Sequence, residues 1–245
     1  MLNKKHNIFV ACISSGRPEC YEKITSFTGE AITFFTRKGE REQYKSFGAK
    51  NIVEVDGNIV KARNTAILMA KKLNVPCLQL SDDLRAIKIA YKNEEGKIKR
   101  AWSTFDEILP ILLQEMLSHG ADYVGVGITD NALNYKENFF MYNKLIVNDF
   151  VICGGEVMFD EKADLKEDYD MFIRQIRDYG NVVVRADNIL CTFPHRDNTG
   201  GANSYRSEEY EAKCNQYIMD KHKGLIIPHK RRPNQVEICY KKLLA

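Results

Sequence analysis

The feature that most narrows what this chain can fold into is the alternation in its first 80 residues of short, nearly all-apolar runs with longer amphipathic stretches. Asn7 to Ile13 (NIFVACI), Ala31 to Thr36 (AITFFT), Asn51 to Val55 (NIVEV) and Cys77 to Leu80 (CLQL) read as strands. Pro18 to Phe27, Glu40 to Phe47 and Ile59 to Leu73 read as helices, the last with Ile59, Ala62, Ala66, Met69 and Leu73 on one apolar face. A strand that is apolar at successive positions needs cover on both faces, and a helix between strands supplies the crossover that parallel pairing requires. The expected class is therefore α/β, with a mostly parallel central sheet and helices on both faces in a single domain.

The second half is less regular. Phe105 to His119 and Leu165 to Tyr179 read as helices, and Asp122 to Ile128 as a strand. Phe150 to Phe159 reads as a strand broken by a glycine pair, and Val182 to Phe193 as one or two strands. A glycine-rich loop (Asn198 to Asn203), a charged helix (Ser207 to Lys221) and a basic tail follow. This arrangement suits a nucleotide-binding half at about residues 7–100, an acceptor half at about 101–205, and a C-terminal helix with its tail at 206–245.

Composition excludes several classes. With 44% hydrophobic and 28% charged residues the chain is not globally disordered. No apolar run approaches the ~20 residues of a membrane helix, and the polar, basic start lacks the apolar core of a secretion signal, so no membrane partner and a cytoplasmic location (host cytoplasm if viral) are expected. The seven cysteines include no C-x-x-C pair, which argues against a zinc site or a disulfide framework. Net charge is only +3, but Lys221 to Arg232 is rich in Lys and Arg with no acidic residue. That stretch is either a patch for a polyanion or a solvated tail.

Five short segments carry side chains suited to chemistry. Ser81-Asp82-Asp83 follows the CLQL strand, where adjacent carboxylates can hold Mn²⁺ or Mg²⁺, or where Ser and Asp can simply cap a helix. Ser14 to Glu19 (SSGRPE) combines small residues with Arg17, a fork for phosphate, and is also a competent strand-to-helix turn. Lys61 to Asn64 (KARN) places Arg63 within reach of a donor phosphate, or as an exposed helix charge. Glu167 to Asp170 (EDYD) offers a base for an acceptor hydroxyl, or acids that favour a helix N-terminus. His195 in Pro194-His195-Arg196-Asp197 is a metal ligand, a phosphate donor or a plain loop residue.

Taken in order, SSGRPE, KARN, SDD, GGEVMF, EDYD and the late histidine resemble a GT-A glycosyltransferase over roughly residues 7–200. The SDDL, KEDYDMFIRQIRDYG and PHRDNTGG segments are most similar to the small glycosyltransferases associated with TET/JBP oxygenases and with phage DNA modification. The resemblance implies a GT-A-like domain that uses a nucleotide-diphosphate sugar, UDP-sugar favoured, to modify hydroxymethylated pyrimidines in DNA. It implies donor binding by Ser14, Arg17, Arg63, Asp82, Gly155 and Glu156, with Gly154 beside them. Asp83 and His195 would bind Mn²⁺ or Mg²⁺, and Asp168 with Glu167 would supply the base. Ser81 stands where a strict D-x-D has its first acid, which weakens the metal assignment relative to the fold. A glycan or small-molecule acceptor, a catalytically inactive nucleotide- or DNA-binding module and a nucleotidyltransferase are the alternatives. The last is disfavoured because the loop after the first strand holds one glycine, Gly16.

Overall fold

The computed structural model describes residues 2–127, 140–193, 204–232 and 234–245. Strand β2 (Ile8–Ile13), paired at its start with the short β1 (Leu2–Asn3), shows why the first apolar run has no polar face. Successive side chains point to opposite faces of a sheet. Ile8, Val10 and Cys12 share one core with α1 (Cys20–Thr28) and α4 (Phe105–His119). Phe9, Ala11 and Ile13 share the other with α3 (Ile59–Lys72), α5 (Glu167–Arg177) and α6 (Glu208–Lys221). Helices on both faces are thus as expected.

β3 (Thr33–Arg37) and β4 (Ile52–Val55) lie on one side of β2 and β5 (Cys77–Ser81) on the other, in the order β4-β3-β2-β5. From β2 to β5 the sheet is parallel. The helices α1, α2 (Arg41–Ser46) and α3 make the crossovers. α3 begins with Asn58, whose side chain accepts the Lys61 N–H, and carries the chain from the β4 edge back past β2 to β5. Travel across the sheet therefore reverses between β2 and β5.

Beyond β5 the sheet is mixed, which corrects the expectation of a mostly parallel one. β10 (Phe150–Cys153) runs antiparallel to both β5 and β8 (Tyr123–Gly127). β8 runs parallel to β11 (Val183–Thr192), whose far half pairs antiparallel with β6 (Ala86–Lys92) after a register shift between Ala186 and Leu190. β9 (Phe140–Tyr142) adds to β11, and β7 (Ile98–Trp102) closes the edge against β6. Among the described residues, this 11-stranded sheet has four parallel and six antiparallel ladders. For the β6–β7 ladder the physical reason is connection length: parallel neighbours need a crossover of a dozen or more residues, whereas only Asn93 to Lys97 separate these two strands. β7 leaves no trace in the apolar pattern because all five of its residues are exposed.

Two other segments differ from their sequence reading. The strand expected at Phe150 to Phe159 ends at Cys153. The Gly154 N–H donates to the Asp122 carbonyl at 2.8 Å, and a Cβ on Gly155 would lie 2.2 Å from Asp122 Oδ2. The basic tail is built into the fold: Ile226–Pro228 (β12) pairs with Val236–Ile238 (β13), which leads into a short helix, α7 (Tyr240–Leu243). All seven cysteines are free thiols, and among the described residues no helix is long and apolar enough to cross a membrane.

A buried charge cluster fastens α6 to α5. The Asp170 carboxylate, fully buried, lies 2.8 Å from His222 Nε2, 2.6 Å from Lys221 Nζ and 3.4 Å from Arg174. Lys221 also donates to Asp160 at 2.6 Å. Burial pushes the Asp170 pKa up, but His222, Lys221 and Arg174 outweigh it and hold the carboxyl below its ordinary value. Such a depressed pKa stabilises the fold above the unfolded carboxyl's pKa, and that contribution is lost as pH falls through the folded one. Asp170→Ala leaves Lys221, His222 and Arg174 without the carboxylate they share. Urea unfolding at pH 7 is expected to show a loss of about 3 kcal/mol, shrinking as the pH is lowered into the acid limb.

Candidate functional site

A cleft of about 240 Å³ opens at the carboxyl ends of β2, β3, β4 and β5. In an open α/β sheet a crevice forms where the strand order reverses, because the loops leaving neighbouring strands there diverge. β2 contributes Ile13, Ser14, Ser15 and Arg17, and β3 contributes Phe35, Thr36 and Arg37. Val55 to Ile59 without Asp56, then Ala62 and Arg63, line the β4–α3 side. Ser81 and Asp83 come from β5, Val147 to Asp149 from the approach to β10, and Leu165, Glu167 and Asp168 from the start of α5. Tyr205 and Arg206 complete the wall, with the Arg37 guanidinium 5.6 Å from the Tyr205 ring centroid and donating to Ser204 Oγ at 2.9 Å.

The floor between β2 and β5 is one polar cluster. Arg17 grips Asp82 with Nε at 3.0 Å from Oδ2 and a terminal nitrogen at 2.5 Å from Oδ1. The Ser14 hydroxyl donates to Asp82 Oδ2 at 2.6 Å and lies 2.5 Å from the Tyr44 hydroxyl. Burial raises the Asp82 pKa to about 7 against the opposing pull of Arg17 and Ser14. Asp82 is therefore buried behind the cleft wall, holding Arg17 and Ser14 in place. It is Asp83, half-buried and fixed by a 2.7 Å hydrogen bond from the Ser81 hydroxyl, that reaches the cleft.

Arg63 is not the exposed helix charge that one reading of KARN allowed. It is 3% exposed, donates to Gln79 Oε1 at 3.1 Å and to the Asn148 carbonyl at 2.9 Å, and has Nε 3.4 Å from Glu167 Oε1. It ties α3 to β5, to the approach to β10 and to α5, with one edge on the cleft. Glu167 is thereby engaged by an arginine. Its neighbour Asp168 accepts the Tyr169 N–H at 2.9 Å and is pushed up to about 7, first by burial and then by the charges of Glu167 and Asp149. A carboxyl with that pKa is neutral in mild acid and a proton acceptor above neutrality.

The site residues proposed from sequence thus divide. Ser14, Arg17, Arg63, Asp83, Glu167 and Asp168 line one cleft, and Asp82 supports it from behind. Gly155 and Glu156 do not join them. Cys153 pairs with Cys77, the first residue of β5, so the glycine turn lies at the amino end of that strand, about 16 Å from the cleft by strand rise. Glu156 is exposed there and pairs with Lys71 at 2.9 Å. His195 lies outside the described residues. Asn148 and Asp149 were missed. They stand at the cleft only because Phe150 pairs antiparallel with Leu80, and an antiparallel return carries no sequence signal of its own. Asn148 accepts the Tyr123 hydroxyl through Oδ1, and its buried Nδ2 has no partner among the described residues.

The carboxylates Asp83, Asp149, Glu167 and Asp168 are oxygen donors of the kind that hard divalent ions prefer. Among the described residues, however, no three His, Cys, Asp or Glu side chains are grouped to hold a metal. The chain matches no family model and no curated protein.

The buried pair at the floor is open to test. Arg17→Ala strands Asp82 without its counter-ion. In the wild type Asp82 ionises as pH rises through about 7, and without Arg17 its folded pKa moves higher still. The loss of stability should therefore be small at pH 5.5 and reach about 2 kcal/mol at pH 8.5 in urea unfolding.

Proposed function

We propose that the chain is a GT-A-like glycosyltransferase that moves a sugar from a nucleotide-diphosphate sugar, UDP-sugar favoured, to an acceptor hydroxyl. The observation that carries this reading is a single cleft at the reversal point of the sheet, where arginines meet carboxylates and one carboxyl has its pKa near 7. Arg17 and Arg206 supply positive charge for a diphosphate, and the apolar wall of Ile13, Phe35, Val55 and Ile59 suits a base or ribose. Asp168 takes the proton of the acceptor hydroxyl as its oxygen attacks the anomeric carbon. The bond from that carbon to the diphosphate breaks, and the nucleotide leaves with the electron pair. This assignment applies to an inverting reaction. The likeness of SDDL, the KEDYDMFIRQIRDYG helix and the PHRDNTGG loop to DNA-modifying transferases supports a hydroxymethylated pyrimidine in phage DNA as the acceptor.

Asp83 is the residue of the described set best placed to hold Mn²⁺ or Mg²⁺, and His195 joins it on the resemblance alone. Such an ion, when bound, neutralises charge on the departing diphosphate. The role of the Ser81 hydroxyl is to fix one oxygen of Asp83 so that the other side of the carboxylate is presented consistently.

A panel of UDP, GDP, CDP and dTDP with and without Mn²⁺ tests the donor site. At about 100 times its Kd the right diphosphate stabilises by about 2.7 kcal/mol, a rise in Tm of roughly 5–10 °C for a chain of this size. That rise is expected only with metal and is expected to vanish in Asp83→Asn. No shift with any of the four removes the metal-dependent transferase reading. Once a donor is found, transfer to hydroxymethylated DNA is expected to rise about tenfold per pH unit and to level off at or below about pH 7, the pKa that burial and the neighbouring acids give Asp168 before a cation relieves them. Asp168→Asn is expected to lower turnover by roughly 10²–10⁴-fold while preserving the diphosphate-dependent Tm shift. Full activity in that variant would exclude Asp168 as the base.

A further inference from the structure

The net positive charge of the chain comes from its last part. Residues 223–245 hold six cations, Lys223, Lys230, Arg231, Arg232, Lys241 and Lys242, against one acid, Glu237. That segment is +5 while the whole chain is only +3, so residues 1–222 are net negative. Three of the six cations are consecutive, Lys230 to Arg232, in the turn that joins β12 to β13.

This turn is built, not a solvated tail. The His229 N–H donates to the Gln235 carbonyl at 2.9 Å, and the Gln235 N–H to the Arg232 carbonyl at 3.3 Å. The Arg231 N–H donates to His229 Nδ1 at 3.1 Å, and Asn215 of α6 donates through Nδ2 to the Asn234 carbonyl at 2.8 Å. Lys230, Arg231 and Arg232 are exposed. Among the described residues none of the three has a carboxylate partner, and Arg232 reaches only Gln235 Oε1, at 3.5 Å. Glu237, the one acid of the segment, lies 3.9 Å from His229 Nε2. Elsewhere exposed cations are matched to acids, as in Lys45–Glu42 at 2.8 Å, Lys50–Glu30 at 2.6 Å and Lys213–Glu209 at 2.8 Å. Like charges held side by side without a counter-ion repel, and a bound polyanion relieves that repulsion.

Position and chemistry narrow the polyanion. Val236, which pairs with Pro228 at the turn end of the hairpin, accepts the Tyr169 hydroxyl at 3.3 Å through its carbonyl. The turn end is thereby tied to the residue that follows Asp168. No Phe, Tyr or Trp lies between Pro228 and Val236. Unpaired bases would find no such ring to stack on, and the same stretch has no large apolar side chain to insert into a membrane. Cations alone suit the regularly spaced phosphates of a duplex, which fix position without reading sequence. We propose that the β12–β13 turn binds the phosphate backbone of duplex DNA through Lys230, Arg231 and Arg232. The inference rests on the DNA-acceptor side of the function proposed above, and its test involves no sugar transfer.

The full chain is titrated into a fluorescein-labelled 20-base-pair duplex of unmodified bases, and label anisotropy is followed as salt is varied. For three phosphate contacts the affinity is expected to fall roughly 40-fold between 50 and 200 mM salt. Lys230→Gln with Arg231→Gln removes two contacts. It is expected to lower the slope of log affinity against log salt by about two and to weaken binding at least tenfold at 50 mM salt, with the melting curve unchanged. Lys241→Gln with Lys242→Gln makes the same charge change at exposed positions beyond Ile238, which pairs with Ile226 at the other end of the hairpin. That variant is expected to keep the wild-type slope. Absence of binding overturns the proposal, as does an unchanged slope in the turn variant. An equal loss in both variants overturns it in favour of diffuse charge attraction. Tighter binding of a single-stranded 20-mer than of the duplex overturns it in favour of unpaired nucleic acid. Phosphatidylserine vesicles that displace the duplex and bind as strongly overturn it in favour of an anionic membrane. The assay contains neither donor nor metal, so its failure leaves the diphosphate result standing, and a missing diphosphate shift leaves this one standing.

Discussion

The contact between Arg17 and Asp82 is the constraint on which the rest of the cleft depends. The two residues sit just past the ends of β2 and β5, the neighbouring strands between which the sheet reverses its order. Backbone ladders hold the strands but not the loops that leave them. The arginine–carboxylate ion pair, hydrogen-bonded through Asp82 Oδ2 to Arg17 and Ser14, fixes both loops to each other. A buried carboxylate is tolerable only when it is paired and hydrogen-bonded. The first acid of the doublet is thus consumed by structure, and this leaves the second, Asp83, to face the cleft.

Across the cleft, electrostatics rather than shape separates the roles of two adjacent acids. Glu167 and Asp168 open the same helix, yet Arg63 lies against Glu167 while Asp168 is desolvated beside two other carboxylates. The first therefore belongs to the framework that joins α3 to α5, and the second has the pKa of a proton acceptor. Neighbouring acids with different surroundings are a common way to place a base at neutral pH. A cation entering the cleft would act on the same balance, since it would relieve the repulsion that raises Asp168.

The C-terminal region shows how a run of like charge is divided by burial. Lys221 and His222 turn inward to Asp170 and Asp160, whereas Lys230, Arg231 and Arg232 remain exposed at the turn between β12 and β13. The stretch that reads as one basic tail is in fact half clamp and half surface.

The sequence by itself determined the parallel part of the fold and several of the charged residues around the cleft. Four apolar runs separated by amphipathic helices leave few arrangements other than a covered parallel sheet, and small or charged residues after those runs must lie at its carboxyl end. Ser14, Arg17 and Asp83 were legible on that ground, and Asp168 as an acid opening a helix in a segment that resembles a transferase motif. Tertiary structure decided the direction of the later strands, and with it which distant loops meet. The antiparallel return of β10 brings Asn148 and Asp149 to the cleft and sends Gly155 and Glu156 to the opposite end of the sheet. Pairing direction depends on connection geometry and on partners far along the chain, neither of which leaves a periodic mark on the residues themselves. Burial likewise decided that Asp82 supports and Asp83 presents, because two adjacent aspartates are alike until their surroundings differ.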